Sequence, residues 1–262
     1  MKRYFKLCST GLTGCAILSV VGLSDGGAFA AESALTGDRI PTRQGGDLVV
    51  HPINHATLAL GWNGKVIAVD PVGGAGRFKD LPKPDLILIT DIHQDHLDPA
   101  TLEAIAASQT PIVVPKAVAE KLPAQLRQHA TVLANGEAKD VAGIPIEAVP
   151  MYNTTPERMK FHEKGRGNGY ILTLGGSRVY LSGDTEDIPE MRALKNIDVA
   201  FVCMNLPYTM TVEQAADAVR AFKPKIVYPY HYRGSDVEKF KQLVGSESGI
   251  EVPCAIGTSD RE

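Results

Sequence analysis

Short apolar runs separated by glycine, proline and asparagine dominate the chain from residue 48 onward, alternating between strand-like and helix-like periods. Leu48-Val49-Val50-His51, Ala56 to Leu60 and Val66 to Val69 have the length and branching of strands, and Asn63-Gly64 before the last is a hairpin turn signal. Leu86-Ile87-Leu88-Ile89-Thr90 is apolar without alternation, the pattern of a strand covered on both faces. A helix is expected over 98–107, with Asp98 as N-cap and Pro99 at the first helical position. Ile112-Val113-Val114 predicts another strand, and 116–122 a short helix. After Ala148-Val149-Pro150 the pattern breaks into a long polar loop, 151–167. Two strands joined by a Gly-Gly turn then run from Tyr170 to Leu174 and from Arg178 to Leu181. A strand at 198–203 precedes a helix at 212–222, where Thr211 and Gln214 have capping-box spacing. A strand at 226–228, a helix near 236–244 and a last strand near 250–254 complete the series. Strands first, then strands mixed with helices, predict an α/β sandwich of two sheets with helices outside.

The first thirty residues follow a different pattern. Lys2, Arg3 and Lys6 precede a mostly apolar or small stretch, Leu7 to Leu23, and Ala28-Phe29-Ala30 is a cleavage signal. These features predict a signal peptide, 1–30, removed on export to the periplasm or the medium, with no stable membrane insertion afterwards. Ser, Thr and Gly interrupt the apolar run, which argues against a retained anchor. Leu12-Thr13-Gly14-Cys15 looks like a lipobox, but its apolar residues come after it, so a lipoprotein is the lesser alternative. Residues 31–46, polar and Gly-rich, are expected to form a flexible leader, and 47–262 a single domain without repeats or low-complexity linkers. Cys8 and Cys15 leave with the signal; export permits a disulfide between Cys203 and Cys254, although Cys203 in its apolar run also reads as a buried thiol.

Composition adds limits. Hydrophobic residues at 44% and charged residues at 22% are the balance of an ordinary globule. The net charge of -3, with no basic run beyond the first few residues, argues against a nucleic-acid partner.

Metal-capable side chains gather at predicted strand ends. Asp91-Ile92-His93-Gln94-Asp95-His96 follows the buried strand directly and places four of them within six residues. A loop leaving a strand can turn two of these toward one point and two toward another, which suits a pair of metal ions. The plainer alternative is a solvated loop capping the next helix, but Asp98 supplies that cap and leaves both histidines unexplained. Asp184 follows strand 178–181, beside the permissive Gly183; His231 follows strand 226–228; His162 sits in the long loop. Singly, each reads as a turn or surface residue. Their joint order along the chain is the informative feature. The sequence has no Gly-x-Ser-x-Gly elbow, Walker loop or dinucleotide fingerprint.

Asp91-x-His93-x-Asp95-His96, followed by His162, Gly183-Asp184-Thr185 and Tyr230-His231-Tyr232, resembles the metallo-β-lactamase superfamily. Asn54-His55-Ala56-Thr57 and Val69-Asp70-Pro71 are similar to that family's first hairpin, and the likeness runs from about residue 48 to 234. It looks closest to the branch of metal-dependent hydrolases that includes ascorbate-phosphate lactonase-like proteins. The resemblance implies a four-layer αββα sandwich with a cleft at one edge. It implies two divalent metal ions, zinc first and manganese or iron as alternatives. One ion would be held through Asp91, His93 and His162, the other through Asp95, His96 and His231, with Asp184 bridging both. Asp95 and His231 are then the catalytic candidates, Asp95 also passing a proton to the leaving group. The family pattern begins with His where this chain has Asp91, a harder donor that adds charge; a His there is expected to tighten zinc binding. His129 and His55 compete with His162 as ligands, and His55 could instead orient one.

The expected reaction is hydrolysis of a small ester, lactone, amide or phosphodiester by a metal-activated hydroxide. Lys164, Arg166, Tyr208 and Tyr232 are candidates for the cleft wall, with an ordinary surface role the plainer reading of each, and loop 151–167 for specificity. Two alternatives remain open: a metal-dependent oxygenase or redox enzyme on the same fold, and a binding protein with a degenerate site.

Overall fold

The computed structural model describes residues 35–253. The expected signal peptide and Cys254 lie outside the described residues. The chain opens with β1 (Asp38–Pro41), β2 (Asp47–Asn54), β3 (Thr57–Trp62) and β4 (Lys65–Val69), paired antiparallel in order. Asn63 (φ 49°) and Gly64 (φ 74°) both take left-handed backbone between β3 and β4, as the hairpin signal requires. The direction then changes. β5 (Leu86–Leu88), α1 (Pro99–Ile105), β6 (Ile112–Val114), α2 (Lys116–Lys121), α3 (Ala124–Arg127) and β7 (Ala130–Val132) extend the same sheet with parallel pairings from β4 onward. Parallel neighbours need a crossover, and α1 to α3 supply two of them.

A second sheet follows. β8 (Ala138–Val141), β9 (Ile144–Met151), β10 (Gly167–Leu174) and β11 (Ser177–Leu181) form an antiparallel meander. After α4 (Pro189–Arg192), β12 (Val199–Cys203) joins in parallel; α5 (Val212–Phe222) then leads to β13 (Ile226–Tyr230), also parallel, and α6 (Val237–Val244) packs on α5. The sheets hold seven and six strands, ordered β1 to β7 and β13 to β8.

β5 explains the layering. Its side chains alternate: Leu86 and Leu88 join the core between the sheets, beside Leu58, Ile146 and Leu172, while Ile87 and the following Ile89 pack with Leu102 and Val118 of the helices. On the far side, α5 buries Ala215, Ala216, Val219 and Phe222, and the Phe222 ring meets Tyr180 of β11. Burying a ring of that size contributes about 1.5–3 kcal/mol. The result is the αββα sandwich. Among the described residues, no helix is long and apolar enough to cross a membrane.

Two expectations change. From Leu35 onward the supposed flexible leader is packed: Leu35 is buried with Val49, Ala59 and Val66, and β1 is an edge strand. Arg43 reaches Asp198 at 2.9 Å, tying this segment to the second sheet. Its polar sequence suits an edge, where one side of the strand faces water. The last expected strand is a single parallel bridge, Ile226 to Glu251.

Candidate metal centre

The carboxyl ends of parallel strands from both sheets meet at one place. Asp70 follows β4, Asp91 to His96 follow β5, Asp184 follows β11 and His231 follows β13; open α/β sheets present ligand groups at such ends. Three non-glycine residues here take left-handed backbone: His55 (φ 50°), Asp70 (φ 43°) and His231 (φ 46°). Such conformations cost about 1–3 kcal/mol each and persist where the surroundings enforce them. Asp70 is held by its N–H to the Leu88 carbonyl (2.9 Å), and the His231 N–H donates to the His55 carbonyl (3.2 Å). Gly183 (φ 61°) takes left-handed backbone that side chains rarely adopt, and a Cβ there would press on Met151 Sδ at 2.5 Å and the Asn168 carbonyl at 3.1 Å.

Asp184 is the hub. Its Oδ2 lies 3.2 Å from His96 Nε2, 3.2 Å from His162 Nε2 and 3.3 Å from His231 Nε2. All four residues are buried. Yet His96 Nε2, His162 Nε2 and Asp184 Oδ1 make no hydrogen bond. Buried polar atoms are normally paired, so this convergence without hydrogen bonds fits lone pairs facing a shared cation. Among the described residues, three groups have potential ligand atoms within 4.8 Å of one another: His96, Asp184 and His231; Asp91, His93 and His162; and His55, Asp95 and His231.

The surroundings fix these atoms. Asp70 Oδ2 lies 2.8 Å from His96 Nδ1, and the Asp70 carboxylate also accepts from Thr90 N (2.8 Å) and Thr90 Oγ1 (2.7 Å). A carboxylate behind an imidazole orients the ring and turns the other nitrogen inward. Asp95, 47% exposed, reaches His231 Nε2 at 3.2 Å and His55 Nε2 at 3.7 Å, and so forms the open face of the centre. The His55 and His231 rings lie 3.9 Å apart.

Charge is strongly coupled here. Burial disfavours the Asp184 carboxylate, but His231 and His96 outweigh it and hold its pKa well below the usual range. Burial likewise works against imidazolium at His96, where Asp184 and Asp70 prevail and raise the pKa well above the ordinary value. Asp95 is lowered despite burial, by the His231 hydrogen bond and by His96. Asp91 is lowered despite burial, by the His93 hydrogen bond, His96 and Arg166. His55 is pushed down to about 3 by burial, then by His231 and Arg233, and is neutral near pH 7.

All seven residues expected from the sequence come together. Of the rivals to His162, His129 lies in none of the three groups, while His55 stands beside Asp95 and His231. The cleft candidates divide. Arg166 is not free: its Nε and Nη2 donate to Asp91 Oδ1 and Oδ2 at 3.2 and 3.0 Å, and Nη2 also donates to the Phe161 carbonyl. Lys164 pairs with Glu190 at 2.7 Å, and Tyr232 packs against the core. Tyr208 is exposed, with its ring 5.0 Å from that of Phe161. A cavity of about 640 Å³, lined by Tyr152, Asn153, Met159, His162 and Lys164, adjoins the centre.

Two contributors were not assigned roles from the sequence. Asp70 was marked only as part of the Val69-Asp70-Pro71 hairpin likeness, with no role behind His96. Glu186, two residues after Asp184, is buried and accepts from Thr154 N (2.6 Å), Thr155 N (2.6 Å) and Arg158 Nη1 (2.7 Å). Asn153 N in turn donates to the His162 carbonyl (2.9 Å), so Glu186 anchors the loop carrying that ring. Cys203 is buried, with its thiol pushed up to about 12 by burial and then by Asp184.

The fold and this site define a metallo-β-lactamase-type protein. The family model described as the beta-lactamase superfamily domain matches residues 50–231, and the chain belongs to the metallo-β-lactamase superfamily of metal-dependent hydrolases. A UPF0173 metal-dependent hydrolase of Pyrococcus abyssi is 30% identical over 76% of this chain and 93% of its own. The crystal structure of a metal-dependent hydrolase from Parabacteroides distasonis is 45% identical, with TM-score 0.77, and covers 83% of this chain and 97% of that one. CmlA, a diiron β-hydroxylase from Streptomyces venezuelae, shares the fold at 20% identity and TM-score 0.62, over 80% of this chain and 53% of its own.

Proposed function

We propose that the protein is an exported hydrolase that opens a small ester, lactone, amide or phosphodiester with a metal-activated hydroxide at a two-ion centre. The observation that carries the reading is Asp184 Oδ2 at 3.2–3.3 Å from three buried imidazole nitrogens, two of them without a hydrogen bond. Asp91, His93 and His162 would hold one ion, Asp95, His96 and His231 the other, with Asp184 shared between them. Zinc suits the imidazole-rich set; manganese or iron suits its carboxylates. Bound divalent ions supply Lewis acidity, lowering the pKa of a water toward neutrality and drawing charge from the scissile group.

The chain's own residues do the remaining work. Asp70 keeps His96 Nε2 facing inward. Glu186 and Arg158 hold the loop that delivers His162. Asp95, on the open face 3.2 Å from His231 Nε2, is placed to pass a proton to the leaving group. The cavity beside His162 receives the substrate's remaining bulk, with Tyr152 and Met159 offering apolar surface. Export rests on Lys2, Arg3 and Lys6, the apolar stretch after them and Ala28-Phe29-Ala30.

The test is a panel of lactones, phosphodiesters and β-lactams assayed with the purified, the chelated and the zinc-reloaded protein. Hydrolysis lost on chelation and regained on reloading is the expected result. Oxygen consumption by an iron-loaded protein without hydrolysis of any of them would replace this reading with an oxygenase.

A further inference from the structure

Asp91 is a carboxylate among the candidate ligands, and its charge is met on the spot. The carboxylate is fully buried, and the Arg166 guanidinium, 18% exposed, grips both its oxygens at 3.2 and 3.0 Å. A third bond, to the Phe161 carbonyl, locks the guanidinium in place. Asp91 Oδ2 still faces inward, 2.8 Å from His93 Nδ1 and 3.9 Å from His162 Nε2. A neutral imidazole adds no charge to a ligand set. A carboxylate adds one negative charge, and a guanidinium in bidentate contact removes it.

We infer that Asp91 and Arg166 act as one neutral donor unit, in which the Arg166 guanidinium cancels the charge of the Asp91 carboxylate. This half of the centre then has the formal charge of an imidazole site but the hard oxygen donor of a carboxylate. The inference rests on the two-ion reading above. It also reverses the expectation that Asp91→His alone tightens zinc binding, because that change leaves the Arg166 cation uncompensated beside the ion.

A charge cycle tests it. Zinc affinity is measured by chelator competition for the wild type, Asp91→His, Arg166→Gln and the double variant, with the thermal unfolding of each metal-free form followed by circular dichroism. Asp91→His should weaken one of the two equivalents by about 10–100-fold, the usual scale for disturbing groups around a ligand. Arg166→Gln should tighten that equivalent while lowering the unfolding temperature of the metal-free protein. The double variant, neutral again, should return close to the wild type. If Arg166→Gln weakens zinc binding and the double variant is worst of all, Arg166 is merely structural and the inference is overturned. If the wild type saturates at one zinc, the two-ion reading fails first and takes the inference with it. Asp91→Asn, with and without Arg166→Gln, runs the same cycle with an isosteric side chain should Asp91→His not fold.

Discussion

Behind His96 stands a carboxylate, Asp70 at 2.8 Å; behind Asp91 stands a guanidinium, Arg166 at 3.0 Å. The two halves of the centre share Asp184 but are supported by opposite charges. A carboxylate behind an imidazole makes the ring a stronger donor. A guanidinium behind a carboxylate makes the oxygen a weaker one. On the proposed two-ion reading, the His96 half would bind a borderline-soft ion tightly and the Asp91 half would bind a harder ion less firmly. Burial does not separate them: each half has two enclosed members and one half-exposed one, Asp95 at 47% and His93 at 40%.

The largest effect that separates the halves should come from Asp70→Asn. It keeps the shape but removes the charge behind His96. Metal affinity at that half should fall by about 10–100-fold, with the Asp91 half unchanged. Equal losses at both halves, read by chelator competition, would show that the support is not local.

A smaller effect concerns protons. The raised pKa of His96 means that the metal-free protein carries a proton there near neutral pH. Its folded value exceeds the unfolded value of about 6.5. That protonation thus stabilises the metal-free fold below about pH 6.5, and the contribution is lost as pH rises through the folded value. Metal needs the neutral ring, so affinity at this half should rise with pH and binding should release a proton. Asp91, already ionised, releases none. Titration calorimetry in buffers of differing ionisation enthalpy reads this directly, and binding without proton release would contradict it.

Sequence alone made much of this visible, for physical reasons. β5 was legible because a strand buried on both faces must be continuously apolar. The metal-capable cluster after it stood out because four such residues in six have no cheap structural explanation. Asp184, His231 and His162 were legible only as an ordered set. The pairing of Arg166 with Asp91 was not legible, since the two lie 75 residues apart and only the fold joins them. Glu186 was passed over, and Asp70 was noted only in the hairpin likeness without a role, because a buried carboxylate looks like a turn residue until its donors are seen. β1 hid in a polar segment because an edge strand needs little apolar pattern, and β7 because three residues carry no periodicity.

The central claim is that Asp184 joins two metal sites into one centre. Elemental analysis of the zinc-loaded, dialysed protein and of Asp184→Ala tests it most directly. The account predicts about two equivalents in the wild type and fewer than about one in the folded variant, since a shared carboxylate serves both ions. A variant that keeps both ions, or a wild type that keeps none, would contradict it.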